Sequence, residues 1–242
     1  MSLLALRAVS KQFGGLRALS DISFDVGAGE IVGIMGANGA GKTTLFSLIA
    51  GNERPSGGTI VFDGRALAGL PPHRICRLGI ARTFQIVRPF GGLTVEDNVA
   101  TAAMFGAAQA ASPAAAAERA RAVLALVGLA ERAGDLAETL TLSGQKRLEL
   151  ARAVATGGRL LMLDEVMAGL TPAEVAAMLE IVRRLHREYG LTILIIEHVM
   201  RALMQLAGRI VVLHHGEKIA EGPPAAIGAD PRVHEVYFGA AA

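Results

Sequence analysis

The sequence predicts an α/β protein with a largely parallel sheet. Short continuous apolar runs alternate along the chain with helical patterns, as is typical of strands joined by helical crossovers. Residues 31–35, 160–163, 191–196 and 209–213 are too uniformly apolar to form half-exposed edge strands. A chain of 242 residues, 52% of them apolar, is long enough to bury one such core and to carry a smaller inserted lobe.

The composition argues against several other classes of protein. Lys and Arg number 24 against 22 Asp and Glu, and this small excess predicts no nucleic-acid partner. The single cysteine, Cys76, excludes an internal disulfide framework and a multi-cysteine metal site. The N-terminus lacks the order of a signal peptide. The most apolar stretch, residues 99–117, is mostly alanine and is interrupted by Pro113, so no transmembrane span is expected.

One helix is predicted from end to end by local signals. Thr171 and Glu174 form a capping-box pattern, with Pro172 at the first helical position. Apolar residues then recur at spacings of three and four. Gly190 supplies the residue type that commonly ends a helix.

The middle of the chain has a different character. Residues 86–157 are rich in alanine and helical in pattern, with a capping pattern at Thr94 and no comparable strand. We interpret them as a helical subdomain inserted into the α/β core. The core then comprises residues 1–85 and 158–242, the latter including a C-terminal extension.

A glycine-rich segment predicts a phosphate-binding loop. Gly36–Thr43 matches G-x-x-x-x-G-K-T between a predicted strand and an apolar helix, the context that this motif requires. Backbone N–H groups close around phosphate oxygens in such a loop, Lys42 reaches the β- and γ-phosphates, and Thr43 can bind Mg²⁺. A P-loop NTPase core that binds ATP and Mg²⁺ is therefore expected. The residues expected at the nucleotide are Gly36, Asn38, Gly39, Ala40, Gly41, Lys42, Thr43 and Thr44.

Two acidic residues close a second buried strand. Asp164 and Glu165 follow residues 160–163 at the end where α/β sheets bind ligands. Asp164 is expected to hold Mg²⁺ through water, and Glu165 to act as the base that polarises the attacking water. The alternative is an acid pair that complements a helix dipole, but the phosphate loop favours the first interpretation.

With both motifs present, the chain resembles the ATP-binding subunits of ABC transporters. Phe13 resembles the aromatic on which adenine stacks, Gln85 the glutamine that contacts Mg²⁺ and water, and His198 the histidine that contacts the γ-phosphate. Taken singly, such residues are more often structural. The resemblance implies a RecA-like mixed sheet with an N-terminal antiparallel β subdomain, in addition to the inserted helical subdomain.

The signature segment departs from the family pattern, which is usually Leu-Ser-Gly-Gly-Gln. A literal match starting at Leu142 lacks one glycine. Leu140 lies 24 positions before Asp164, the usual family spacing, and this favours a start at Leu140. The resemblance then implies that a second subunit's nucleotide is contacted by Thr141, by Ser143 in place of glycine, and by Gly144 in place of glutamine. A side chain at position 143, where glycine is usual, is expected to limit how closely the backbone of this segment can approach that nucleotide.

Further text matches resemble one subgroup, the ATP-binding subunits of branched-chain amino-acid uptake systems. They lie in residues 85–90, 164–172, 214–222 and 230–239. The resemblance implies an ATPase of an importer for branched-chain or related amino acids, peripheral on the cytoplasmic face of the inner membrane. It implies integral-membrane permease subunits and a second, different ATP-binding subunit arranged head to tail. A substrate-binding protein is an indirect partner.

An alternative is a nucleotide-gated clamp or regulatory subunit with little turnover of its own. The altered signature and Thr171, where the family often has Asp, motivate this alternative. Retention of Glu165 and His198 opposes it. A soluble ABC protein of repair or translation is expected to carry a coiled-coil insertion or tandem cassettes, and a P-loop kinase would lack the glutamine, signature and histidine.

Overall fold

The computed structural model describes residues 2–238, so Met1 and residues 239–242, which include the last position of the 230–239 match, lie outside the described part. The strands in chain order are β1 (Ser2–Phe13), β2 (Leu16–Gly27), β3 (Ile31–Met35), β4 (Gly57–Phe62), β5 (Arg65–Ala66), β6 (Ile80–Arg82), β7 (Leu160–Asp164), β8 (Thr192–Ile196), β9 (Arg209–His214) and β10 (Glu217–Gly222). The helices are α1 (Lys42–Ile49), α2 (Pro72–Leu78), α3 (Val95–Phe105), α4 (Pro113–Val127), α5 (Leu142–Ala155), α6 (Pro172–Tyr189), α7 (Met200–Leu206), α8 (Pro224–Gly228) and α9 (Pro231–Phe238). All four predicted strands are present, and no described helix is long and apolar enough to cross a membrane.

The chain divides into two compact units, the first of which comprises Met1–Ile75 and Leu194–Ala242. An antiparallel sheet with strand order β2-β1-β4-β5 confirms the expected N-terminal β subdomain. Beside it in this unit, β3 pairs parallel with β9, and β9 pairs antiparallel with β10. This arrangement confirms the mixed character of the second sheet.

The second unit is Cys76–Ile193. Its strands β6 and β7 pair in parallel, so that Arg82 lies opposite Met162. Helices α3, α4 and α5 pack against one another around buried aliphatic side chains. Between residues 86 and 157 the described chain contains no strand, only an isolated bridge between Thr94 and Leu136.

Helix α6 forms as its sequence predicts. The Thr171 hydroxyl accepts from the Glu174 N–H, the Glu174 carboxylate accepts from the Thr171 N–H, and Pro172 is the first helical residue. Gly190 adopts the left-handed conformation with φ 60°, which glycine tolerates without steric cost. Met178, Leu179, Val182 and Leu185 are the buried residues of this helix.

Arg209 ties together three segments of the first unit. Its Nε and Nη2 donate to the two carboxylate oxygens of Glu30 at 2.7 and 3.0 Å, and Nη1 donates to Glu221. Partial burial tends to raise the pKa of Glu30, but hydrogen bonds from Arg209 and the Gly27 N–H outweigh it and hold that pKa below its usual value.

Replacing Arg209 with methionine should lower the free energy of unfolding by about 1–2 kcal/mol at pH 7, since a partly buried carboxylate loses its main partner. A carboxylate with a lowered folded-state pKa contributes stability above its unfolded pKa and loses it as pH falls. The difference between parent and variant should therefore shrink below about pH 4.

Urea unfolding of both proteins from pH 7 to pH 3 tests this expectation. Arg184→Met is the matched control, because Arg184 pairs with Glu188 at an exposed site and its loss should change stability by less than about 0.5 kcal/mol. An Arg209→Met effect no larger than that of the control would contradict the account.

Candidate nucleotide-binding site

Gly36 and Gly41 begin and end the phosphate loop, which connects β3 to α1. A Cβ at Gly36 would lie 2.6 Å from the Leu213 carbonyl oxygen and 2.8 Å from the Ala40 Cβ. Gly41 has φ 100°, and a Cβ there would lie 2.6 Å from Leu19 Cδ2. Only glycine fits at these two positions without a steric clash. The loop can therefore pack closely against its neighbours, as the glycine-rich motif predicts.

Lys42 begins α1 and lies over the loop. Its ammonium donates to the carbonyl oxygens of Gly36 at 2.6 Å and Ala37 at 3.0 Å, and the residue is only 6% exposed. The N-cap, Gly41, makes no side-chain cap bond. The first turn of the helix therefore offers backbone amides to an anion, beside a positive charge held in place. Of the remaining loop residues, Asn38, Gly39 and Thr43 are exposed, Thr44 is half-buried and Ala40 is buried.

Phe13 ends β1 and keeps 44% of its surface exposed. Lys11 Nζ lies 4.5 Å from the centroid of its ring. That ammonium is itself held by Glu53 Oε2 at 2.8 Å and the Arg54 carbonyl at 2.9 Å. The first unit thus presents an anchored aromatic ring that can stack on a base. His198 follows the end of β8 in the same unit and is exposed.

Asp164 ends β7 in the second unit and is 1% exposed. Its Oδ2 accepts from Arg82 Nη2 at 2.7 Å, and its N–H donates to the Thr83 hydroxyl at 3.0 Å. Its other oxygen, Oδ1, is buried and accepts no hydrogen bond from the described residues. A buried carboxylate oxygen without a donor is costly unless a cation or its water completes it, so this residue fits Mg²⁺.

Glu165 is directly bonded to Gln85 in the same unit. The Gln85 Nε2 donates to Glu165 Oε2 at 2.8 Å. The backbone of Glu165 has φ 51°, a left-handed conformation that costs a non-glycine residue about 1–2 kcal/mol. The two residues predicted to act on the attacking water therefore lie together, and one of them, Glu165, occupies a strained turn at the end of β7.

The signature segment opens α5 as its N-terminal cap. The Thr141 hydroxyl accepts from the Gly144 N–H at 3.3 Å, and both Ser143 and Gly144 are buried. Ser143 lies close enough to Glu174 to contribute to the lowered pKa of its carboxyl group.

Glu174 is also the carboxylate that accepts from Thr171, at 2.9 Å from its N–H and 2.8 Å from its hydroxyl. These bonds, the backbone one first, lower the pKa of Glu174. Ser143 and Thr171, two of the departures from the family pattern, thus both interact with one carboxylate. Sequence reasoning did not foresee this link.

Three other residues near the site were also missed from the sequence. Arg82 and Thr83 hold Asp164, and Lys146 donates to the carbonyl oxygens of Gln85 and Glu165. Arg82 and Thr83 directly precede Phe84 and Gln85 in the sequence, and this proximity to a candidate site residue could have indicated that they lie near the site. Nothing in the local pattern around Lys146 pointed to its partners.

The phosphate loop after β3 and the acidic end of β7 with its glutamine define a P-loop nucleotide-binding protein of the ATP-binding cassette class. The chain belongs to the ABC transporter family, whose model matches residues 19–168. A second model, described as branched-chain amino acid ATP-binding cassette transporter, matches residues 217–242.

Relatives span nearly the whole chain. It is 39% identical to the high-affinity branched-chain amino acid transport ATP-binding protein LivG of Salmonella typhimurium, over 99% of this chain and 98% of the relative. It is 38% identical to the corresponding protein BraF of Pseudomonas aeruginosa, with the same coverage.

Solved structures share the fold. The ADP conformation of MJ1267, an ATP-binding cassette of an ABC transporter, has a TM-score of 0.88 at 28% identity and covers 99% of both chains. A dimeric post-hydrolysis state of the ATP-binding cassette MJ0796 bound to ADP and Pi has a TM-score of 0.82 at 25% identity. It covers 91% of this chain and 98% of that one.

Replacing Lys42 with alanine should weaken ATP binding by roughly tenfold to a hundredfold, because charge-assisted bonds to the phosphates are lost. Isothermal titration with ATP measures the loss, and circular dichroism checks that the fold survives. Lys218→Ala removes the same charge from β10, where Lys218 pairs with Glu221, and should leave the affinity unchanged. Equal affinity of parent and Lys42→Ala would show that the phosphates bind elsewhere.

Proposed function

We propose that this chain is the ATP-hydrolysing subunit of an importer for branched-chain or related amino acids. The observation that carries the hydrolytic assignment is the hydrogen bond from Gln85 to Glu165, beside the buried Oδ1 of Asp164. Phosphoryl transfer to water requires a base, a polar group that orients the water and a ligand for the metal ion. The relatives' names support the amino-acid substrate.

In this proposal the first unit binds the nucleotide. Phe13 stacks on adenine, and the loop amides from Gly36 to Thr44 surround the phosphates. The Lys42 ammonium exchanges the carbonyls of Gly36 and Ala37 for phosphate oxygens, which are stronger acceptors. His198 contacts the γ-phosphate.

Thr43, Gln85 and Asp164 would hold Mg²⁺, which when bound neutralises charge on the phosphate oxygens. The Glu165 carboxylate accepts a hydrogen bond from the attacking water and orients it. The Gln85 amide, which now donates to Glu165, can share that water because it both donates and accepts. Most of the rate then comes from positioning and charge neutralisation.

Thr141, Ser143 and Gly144 are assigned to the nucleotide of a second ATP-binding subunit in a head-to-tail pair. The dimer described for MJ0796 supports a paired arrangement. We propose a heterodimer, since a partner with an unaltered signature would complete the site on this chain. The clamp alternative is not favoured, because the hydrolytic residues of this chain are retained and in contact.

An exposed apolar patch of the second unit is assigned to the permease subunits. Large apolar side chains near Gln85 expose between 40% and 68% of their surface: Phe84, Ile86, Phe90 and Leu93. Contiguous exposed apolar groups mark interaction sites. Docking there would hold the chain peripherally on the cytoplasmic face of the inner membrane, with the substrate-binding protein a partner through the permease.

Glu165→Gln should keep the side-chain shape but remove the base, and turnover in the assembled transporter should fall by roughly a hundredfold or more while ATP still binds. A steady-state ATPase assay and ATP titration separate the two effects. Glu180→Gln, at an exposed ion pair with Arg183, is the matched control and should hydrolyse like the parent. Near-normal turnover of Glu165→Gln would move the base to another residue.

The isolated subunit should be a weak ATPase, stimulated roughly tenfold or more by its partner ATPase and permease, because contacts made only in the closed pair raise turnover. The ATPase rate is measured against protein concentration, alone and in the complex. Vigorous hydrolysis by the lone chain, independent of concentration, would contradict the heterodimer. An absence of stimulation by either partner would favour the clamp.

A further inference from the structure

Lys146 lies in the second turn of α5 and is 4% exposed. Its ammonium donates to two main-chain carbonyl oxygens, those of Gln85 and Glu165, each at 3.0 Å. These carbonyls belong to the two residues whose side chains bond each other. The three residues therefore form a closed ring of hydrogen bonds. Lys146 bonds to the main chains of Gln85 and Glu165, and the side chains of these two residues bond to each other.

The Lys146 ammonium is a charge buried away from water. A buried ammonium is stable only when polar groups replace its hydration, and carbonyl oxygens do so through charge-assisted hydrogen bonds. One of these bonds falls on the carbonyl of Glu165, whose φ of 51° persists only where the surroundings impose it. Lys146 is therefore placed to hold the strained turn that directs the Glu165 carboxylate.

The same face of α5 holds the rest of the segment around Gln85. Glu149, one turn after Lys146, is buried and pairs with Arg152 at 2.9 Å. Burial raises the pKa of Glu149. Arg152 donates to the Arg88 carbonyl at 3.1 Å and lies 4.9 Å from the ring of Phe90. Lys146 and Arg152, on one face of this helix, thus contact the segment at Gln85, Arg88 and Phe90.

We propose that Lys146 is a positioning residue for ATP hydrolysis, which sets the relative placement of Gln85 and Glu165 through their main-chain carbonyls. The proposal rests on the proposed function of this site. Since Thr141 caps the same helix, α5 carries both the signature segment and the ammonium that contacts the hydrolytic pair. Removing the ammonium should therefore change the placement of the pair without touching the phosphate loop.

Lys146→Met keeps the unbranched stem and removes the donors, whereas Lys146→Arg keeps donors at the end of a long side chain. In the full chain, hydrogen–deuterium exchange at residues 83–90 and 164–168 should rise about tenfold or more in the methionine variant and stay near the parent in the arginine variant. Lys218→Met is the matched control, since Lys218 also donates to a main-chain carbonyl, that of Ser23 at 2.6 Å. It should leave both segments unchanged.

The second measurement is steady-state ATPase activity of the assembled transporter. For Lys146→Met, kcat should fall roughly tenfold or more while the ATP dissociation constant stays within about twofold, and Lys146→Arg should recover most of the loss. Unchanged exchange and unchanged kcat in the methionine variant would overturn the proposal. So would equal losses of kcat and ATP affinity, or an arginine variant as impaired as the methionine one.

The two measurements separate this proposal from the proposed function. A parent complex that hydrolyses no ATP would refute the function, and the exchange data would still decide whether Lys146 holds the two segments. If Lys146→Met does not fold, Lys146→Gln, with fewer donors on a shorter stem, is measured with the same expected direction.

Discussion

The close approach of the phosphate loop to its neighbours is the constraint on which the nucleotide-binding unit depends. At Gly36 and Gly41 a side chain would collide with Leu213 and Leu19. The turn after β9 is hydrogen-bonded to this loop, because the Gly216 N–H donates to the Ala40 carbonyl. The same turn is hydrogen-bonded to β2, because the Gly216 carbonyl accepts from the Ser20 N–H. Segments distant in sequence thus fix the backbone of the loop, whose amides face the phosphate. Glycine at positions 36 and 41 permits these close contacts, because it has no side chain.

Local signals explain how much of the fold and site the sequence could predict. The capping box of Thr171 and Glu174 acts within one turn of helix, and the phosphate motif acts within one loop, so both could be found without a structure. The buried strand that ends at Asp164 was likewise evident from its apolar run. The roles proposed for Phe13 and His198 depend on the family resemblance, since a single exposed aromatic or histidine does not by itself indicate a function.

The rest depends on contacts between residues far apart in the chain, which no local pattern encodes. Arg82 bonds Asp164 across 82 positions, and Lys146 bonds Gln85 across 61. The interaction between Ser143 and Glu174 shows why the effect of a departure from a family pattern is difficult to judge from the sequence alone. The side chain that replaces a glycine interacts with a carboxylate of its own unit. The left-handed backbone of Glu165 was equally hidden, because glutamate rarely adopts it unless the surroundings enforce it.

Within each unit, the contacts described above hold the candidate groups in place, and groups held in place beforehand are the condition for catalysis by positioning. A crystal structure of the chain with a non-hydrolysable ATP analogue and Mg²⁺ tests this account most directly. It predicts the β- and γ-phosphates on the amides of the phosphate loop, with the Lys42 ammonium moved from the carbonyls of Gly36 and Ala37 onto phosphate oxygens. Phosphates bound elsewhere, with Lys42 still on its carbonyls, would contradict it.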